Sequence, residues 1–205
     1  MEPRVYISIP SRGGDVNWQV MEHIKLAAKR VSHFAINISV SGSSIASGRN
    51  ESVKGMLGTK CTHLMFFGEE IVPPANAIVK LLAHDAPVAS GCYPIYTQHG
   101  GAHLSVSSDW NKDSGAPIWM PDWFDGTAKT KYCKFGCTLI RRDVLEAIEF
   151  PWFVWHPDVD PDAGAAGRTD ESMFLERTGE DALVDGRVRC WNSEKTAVSA
   201  MFAPA

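Results

Sequence analysis

No stretch of this chain approaches the roughly 20 consecutive apolar residues that a membrane span requires. Val5–Pro10, the apolar run nearest the N-terminus, is too short for a secretory leader and is broken by proline, so no signal peptide is expected. Cysteine is sparse. The five present are odd in number and scattered, which speaks against a disulfide framework and for reduced thiols in a cytoplasmic setting. Cys133 and Cys137 are the closest pair, but no second Cys/His pair stands at zinc-site spacing, and the cysteines read as core residues. A P-loop, a dinucleotide-binding GxGxxG, a GxSxG elbow and an HExxH are all missing. The seven histidines show no ligand spacing, and a net charge of −4 argues against general nucleic-acid binding.

What is present is a globular pattern. Over 205 residues, 44% are hydrophobic and 21% charged, enough for one domain with a real core. Val5–Pro10 reads as a first strand. Asp15 stands ready to cap a helix whose apolar face is Val16, Val20, Ile24, Ala27 and Val31. His33–Val40 alternates as a second strand, and Ile45–Leu57 reads as another helix. Leu64–Phe67 is wholly apolar, as in a strand buried on both faces, and Pro73-Pro74 is placed to open the next helix. Pro87–Cys92 is a further short strand. This alternation predicts an α/β fold with a mainly parallel central sheet flanked by helices. Tyr93–Lys131 lacks a sustained period and reads as loops and short antiparallel pieces. Phe135–Ile140 returns to strand character, Asp143 caps a short helix through Ile148, Asp170–Glu176 fits one or two helical turns, and Leu183–Cys190 fits a last strand.

Chemistry collects in four places. Gly68-Glu69-Glu70 sets two carboxylates at a strand's carboxyl end, where open α/β sheets bind ligands. Such a pair suits a metal-bound phosphate or sugar hydroxyls, or is a solvated turn. The loop Asp158–Gly164 has aspartates at EF-hand positions 1, 3 and 5, but Ala163 and Thr169 replace the required Gly and Glu, so it reads as an acidic loop. Trp110, Trp119, Trp123, Trp152 and Trp155 lie in irregular segments, either as platforms for sugars and bases or as core for those loops. Thr169-Asp170-Glu171 puts carboxylates at a helix N-terminus, which capping explains and a general base would also need.

The order of these pieces resembles a known family. Ile9-Pro10, Arg49-Asn50, Phe66–Pro74, Gly91-Cys92-Tyr93, Phe135–Leu145 and Thr169–Phe174 follow one another as in GT-A glycosyltransferases of the family-2 type. The likeness is greatest to small versions from phage and environmental genomes, and it runs over about residues 4–192. It implies one domain, with a nucleotide-sugar half over about 1–92 and an acceptor half over about 93–205. It implies that Pro10, Ser11, Arg12, Arg49, Glu69 and Glu70 bind a nucleoside diphosphate-sugar. Glu70 and Asn192 would hold a divalent metal, Mn²⁺ or Mg²⁺, weakly if at all, because the family's DxD is here Gly-Glu-Glu and its late His is Asn192. The Asp that commonly holds the nucleobase is also missing, with Ser39 and Ser41 nearby. Glu171 takes the position of the catalytic base, with Asp170 beside it, and Trp152 and Trp155 would line the acceptor pocket. The implied reaction is sugar transfer with inversion to a glycan, protein or modified nucleic acid. A degenerate member that binds without transfer, and a nucleotidyltransferase, are the other readings.

Overall fold

The first two strand segments, joined by a helix, pair in parallel, as a strand–helix–strand crossover favours. In the computed structural model, which describes residues 2–40, 44–96, 102–111, 116–154 and 169–193, β1 (Arg4–Ser11) is followed by α1 (Trp18–Ala28) and β2 (His33–Val40). Next come α2 (Ile45–Leu57), β3 (His63–Phe67), β4 (Ile71–Val72), α3 (Ala77–Leu82) and β5 (Val88–Cys92). The middle of the chain forms short antiparallel pairs, β6 (Pro94–Tyr96) with β7 (Ala102–Leu104) and β8 (Ser107–Asn111) with β9 (Ala116–Trp119). Then follow β10 (Thr127–Thr130), β11 (Cys137–Arg141), α4 (Arg142–Glu146), α5 (Asp170–Thr178), β12 (Ala182–Arg189) and β13 (Trp191–Asn192).

The central sheet has seven strands in the order β10-β12-β5-β11-β3-β1-β2. β1, β2, β3, β5 and β12 run one way; β10 and β11 run against them. The mainly parallel α/β fold is therefore as the sequence predicts, with one addition: β11 lies between β3 and β5. The sheet is covered on both faces, because alternate residues of one strand feed different cores. Val5, Ile7, Ile9, Met65 and Phe67 pack with α1 and α3, while Tyr6, Leu64 and Phe66 pack with α2, α4 and α5. Ser8, Ser39 and Ser52 meet in a buried hydroxyl cluster at 2.6–3.2 Å that joins β1, β2 and α2.

Three local expectations need correction. Asn17, not Asp15, caps α1, its Oδ1 accepting from the Gln19 amide at 2.9 Å. The proline pair does not open a helix: Ile71 and Val72 are buried and pair with β13, so the prolines leave a strand and α3 begins after Asn76. Asp143 lies inside the first turn of α4 rather than at its cap, bound to the Arg141 guanidinium and to the Val144 amide. All five cysteines are free thiols, four of them buried, and burial pushes Cys92 and Cys133 up to about 12. Among the described residues no helix is long and apolar enough to cross a membrane. Trp155, the acidic loop at 158–164, Ser41 and the tail at 197–205 lie outside the described residues.

Candidate active site

Because β11 runs antiparallel, its start meets the carboxyl ends of its neighbours: Cys137 pairs with Phe67, and the Gly68 amide donates to the Gly136 carbonyl at 3.0 Å. The segment before β11 thus borders the same crevice as the ends of β1 and β3. At the β1 end, Pro10 and Ser11 are buried, Arg12 is exposed, and Ser11 Oγ accepts from the Gly14 amide at 2.8 Å. At the β3 end, Glu69 and Glu70 are half-buried in the turn into β4.

The turn Thr169-Asp170-Glu171 becomes the start of α5, with Thr169 as its N-cap. Two carboxylates in a first turn are favoured by the helix dipole, but here a cation also meets them. Arg49, reaching across from α2, donates from one terminal nitrogen to Asp170 Oδ2 at 2.5 Å and from the other to Glu171 Oε1 at 2.8 Å. Its guanidinium lies 5.8 and 5.7 Å from the Phe135 and Phe153 ring centroids. Lys134 Nζ stands 3.9 Å from Glu171 Oε2. The sequence places Arg49 against a diphosphate; the structure places it beneath the acid pair, buried. Asn50 extends this clamp, with its side chain accepting from the Phe153 amide at 3.0 Å and donating to the Phe153 carbonyl at 2.7 Å.

The two carboxyls are unequal. Burial pushes Asp170 up, Arg49 pulls it back, and the adjacent Glu171 charge pushes it up again, leaving it at about 6. Burial also raises Glu171, but Arg49 and Lys134 together outweigh that and hold it well below the carboxylate range. Adjacent like charges cannot both be held equally well, and the one with two cations keeps its charge. Asp170 has the more accessible side chain of the two, 15% exposed against 6%.

Tyr93 connects this pair to the β3 end. Its hydroxyl accepts from the Gly136 amide at 3.1 Å; burial raises its pKa first, and the charges of Glu171 and Glu70 add to the rise. In the sequence Tyr93 closes the Gly91-Cys92-Tyr93 strand end, and no local pattern there gives the tyrosine a role. A Cβ on Gly136 would lie 2.5 Å from that hydroxyl oxygen. Gly136→Ala is therefore expected to cost about 1–3 kcal/mol, seen in urea unfolding as a lower midpoint with an unchanged slope.

Among the described residues, no three His, Cys, Asp or Glu come together as a metal-binding group. The β4–β13 ladder nevertheless sets Asn192 against Ile71, and the Ser193 amide donates to the Glu70 carbonyl at 2.8 Å. Ser193 Oγ is buried there with no hydrogen-bond partner. The backbone thus brings Glu70, Asn192 and Ser193 to one edge, and their side chains carry hard oxygen donors of the kind Mg²⁺ or Mn²⁺ takes when shared with substrate phosphates. Trp152 differs from expectation: it is buried, its Nε1 donates to the Leu145 carbonyl at 2.8 Å, and it serves the core between α4 and the loop that follows.

No protein-family model matches the sequence, and no curated protein matches it either. Solved structures do. A197 from STIV superposes with a TM-score of 0.61 over 92% of this chain and 85% of its own, at 19% identity. GalNAc-T7, solved with UDP, GalNAc and Mn²⁺, superposes with a TM-score of 0.62 over 93% of this chain and 44% of its own, at 9% identity. The fold is GT-A-like. A third GT-A-like neighbour, CMP:2-keto-3-deoxy-manno-octonic acid synthetase complexed with CTP, has a TM-score of 0.52 over 98% of this chain and 97% of its own, at 15% identity. At these identities the likeness establishes the GT-A-like fold and no more.

Proposed function

We propose that the protein transfers a sugar from a nucleoside diphosphate-sugar to an acceptor hydroxyl, with inversion. The observation that carries this reading is the acid pair in the first turn of α5: Glu171 lies between two cations, Arg49 and Lys134, while Asp170, the more accessible of the two, meets Arg49 alone and is pushed up by burial. A base poised close to neutrality is what deprotonation of a hydroxyl needs. Asp170 takes the acceptor proton, and the hydroxyl oxygen attacks the anomeric carbon from the face opposite the diphosphate. The bond from that carbon to the diphosphate oxygen breaks, and its electron pair leaves with the nucleotide. Pro10, Ser11 and Arg12 at the β1 end, with Glu69 and Glu70 at the β3 end, border the donor. Glu70, Asn192 and Ser193 would hold the divalent cation, which when bound neutralises charge on the leaving diphosphate. The neighbour solved with UDP, GalNAc and Mn²⁺ supports this choice of donor and ion.

One observation favours a second reading, binding without transfer: Arg49 occupies both carboxylates at once. Titration calorimetry of UDP, GDP, CDP and dTDP, with and without Mn²⁺, tests the donor site. Binding of at least one is expected, strengthened by Mn²⁺ and weakened about tenfold or more in Glu70→Ala. No binding of any with Mn²⁺ present rejects the site. Turnover of the corresponding sugar nucleotides then separates an enzyme from a binder.

A further inference from the structure

Three rings of the chain's middle segment, those of His103, Trp119 and Tyr132, form a cluster that the transfer chemistry above does not use. His103 on β7 and Trp119 at the end of β9 stack with centroids 4.6 Å apart and planes 13° from parallel. Trp119 meets the Tyr132 ring at 5.0 Å and 64°. These positions are set by backbone bonds: the Leu104 amide to the Met120 carbonyl at 2.8 Å, the Ser107 amide to the Tyr132 carbonyl at 3.1 Å and the Lys134 amide to the Ser105 carbonyl at 2.9 Å. The cluster adjoins the acid pair, because Thr169 Oγ1 donates to the Tyr132 hydroxyl at 3.2 Å and Thr169 directly precedes Asp170.

Lys134 adds a cation to this surface. Its Nζ is 5.8 Å from the Tyr132 ring centroid, and its side chain is 28% exposed. Lys134 pairs with the Glu171 Oε2 charge at 3.9 Å, a distance too long for a hydrogen bond, so its N–H groups are not used there. An ammonium has three N–H donors, so Lys134 retains donor capacity toward a ligand lying over the half-exposed His103 and Trp119 rings. Burial lowers the His103 pKa, its bond to the Leu104 carbonyl offsets part of that, and the nearby Lys134 charge lowers it again, which favours the neutral imidazole. Aromatic faces receive the C–H face of a sugar, and a partly desolvated cation beside them selects a sugar that carries an anion.

We propose that His103, Trp119, Tyr132 and Lys134 form the acceptor subsite, and that the acceptor is a sugar bearing a carboxylate or a phosphate. This rests on the transfer reading, since it takes Asp170 as the group that meets the acceptor hydroxyl. The test is an NMR titration of the full chain, read at the Trp119 indole N–H, with glucuronic acid, glucose 6-phosphate and glucose at millimolar concentrations. At least one anionic sugar is expected to shift that resonance, with glucose binding tenfold or more weakly. Which of the two anions binds identifies carboxylate or phosphate as the group taken. Lys134→Met is expected to erase the preference and Lys134→Arg to keep it. The proposal is overturned if glucose binds as well as the anions, if no sugar moves Trp119, or if Lys134→Met keeps the preference. The wild-type comparison needs no variant, so it stands even where a variant fails to fold. Nucleotide binding, titrated separately, tells the two failures apart: nucleotides that bind while no anionic sugar does reject the subsite alone.

Discussion

Asp170→Asn is expected to lower sugar transfer by about 10²–10⁴-fold while leaving nucleotide affinity within about twofold, the signature of a lost general base. The asparagine keeps an oxygen for Arg49 but cannot accept a proton. In the wild type the rate should rise with pH through about 6, as Asp170 loses its proton, and level off above. Glu171→Gln is expected to act differently. It removes the like charge that helps push Asp170 up, so the rising limb moves to lower pH and part of the rate remains. By sequence position Glu171 is the expected base. Its two cations, Arg49 and Lys134, argue against that role, because a carboxylate held far below the ordinary range is a weak proton acceptor. A Glu171→Gln variant devoid of transfer, beside an Asp170→Asn variant at the wild-type rate, would return the role to Glu171.

Arg49→Met should cost about 3–5 kcal/mol of stability, since it leaves two mostly buried carboxylates without their shared partner. For a chain of this size the thermal midpoint falls by roughly 10 °C. Arg49→Lys should recover little, because a single ammonium cannot fork between Asp170 and Glu171. The deficit has a pH sign. Without Arg49 both carboxyls titrate higher in the folded state, and protonation removes the cost. The gap between wild type and variant is therefore widest near neutrality and narrows as pH falls through the carboxylate range. Calorimetric melts from pH 4 to 8 measure it. A variant that melts like the wild type but loses nucleotide affinity would put Arg49 in the donor site instead.

The strands and helices of the first 92 residues are legible in the sequence because local pattern and tertiary setting agree there. Val5, Ile7 and Ile9 alternate with residues that serve the other face, and Leu64–Phe67 is apolar throughout because both faces are covered. Local pattern is silent where partners come from far along the chain. Ile71 and Val72 look like the approach to a helix until β13, about 120 residues later, pairs with them. Arg49 is expected at a diphosphate because the family resemblance puts it in the crevice and a guanidinium suits phosphate. In the structure it pairs with Asp170 and Glu171, 121 and 122 positions away. Of the two roles open to Trp152, sugar platform or loop core, the structure shows the second, its indole N–H bound to the Leu145 carbonyl. Lys134 carried a modest signal, a cation directly before Phe135-Gly136-Cys137, and only the antiparallel course of β11 brings it to the crevice.

The insertion of β11 between β3 and β5 also governs how the chain can acquire its structure. β3 and β5 are never hydrogen-bonded to each other, so the sheet cannot become continuous until residues 137–141 arrive and pair on both sides. Loop closure over about 70 residues must precede that step, an entropic cost that slows formation of non-local sheets. Until then β1, β2 and β3 form a sheet whose β3 edge is open and apolar, a template for pairing with other chains. Substitutions that weaken β11, such as Leu139→Ala, should accordingly slow refolding as well as destabilise, and should favour aggregation during synthesis more than their equilibrium cost suggests.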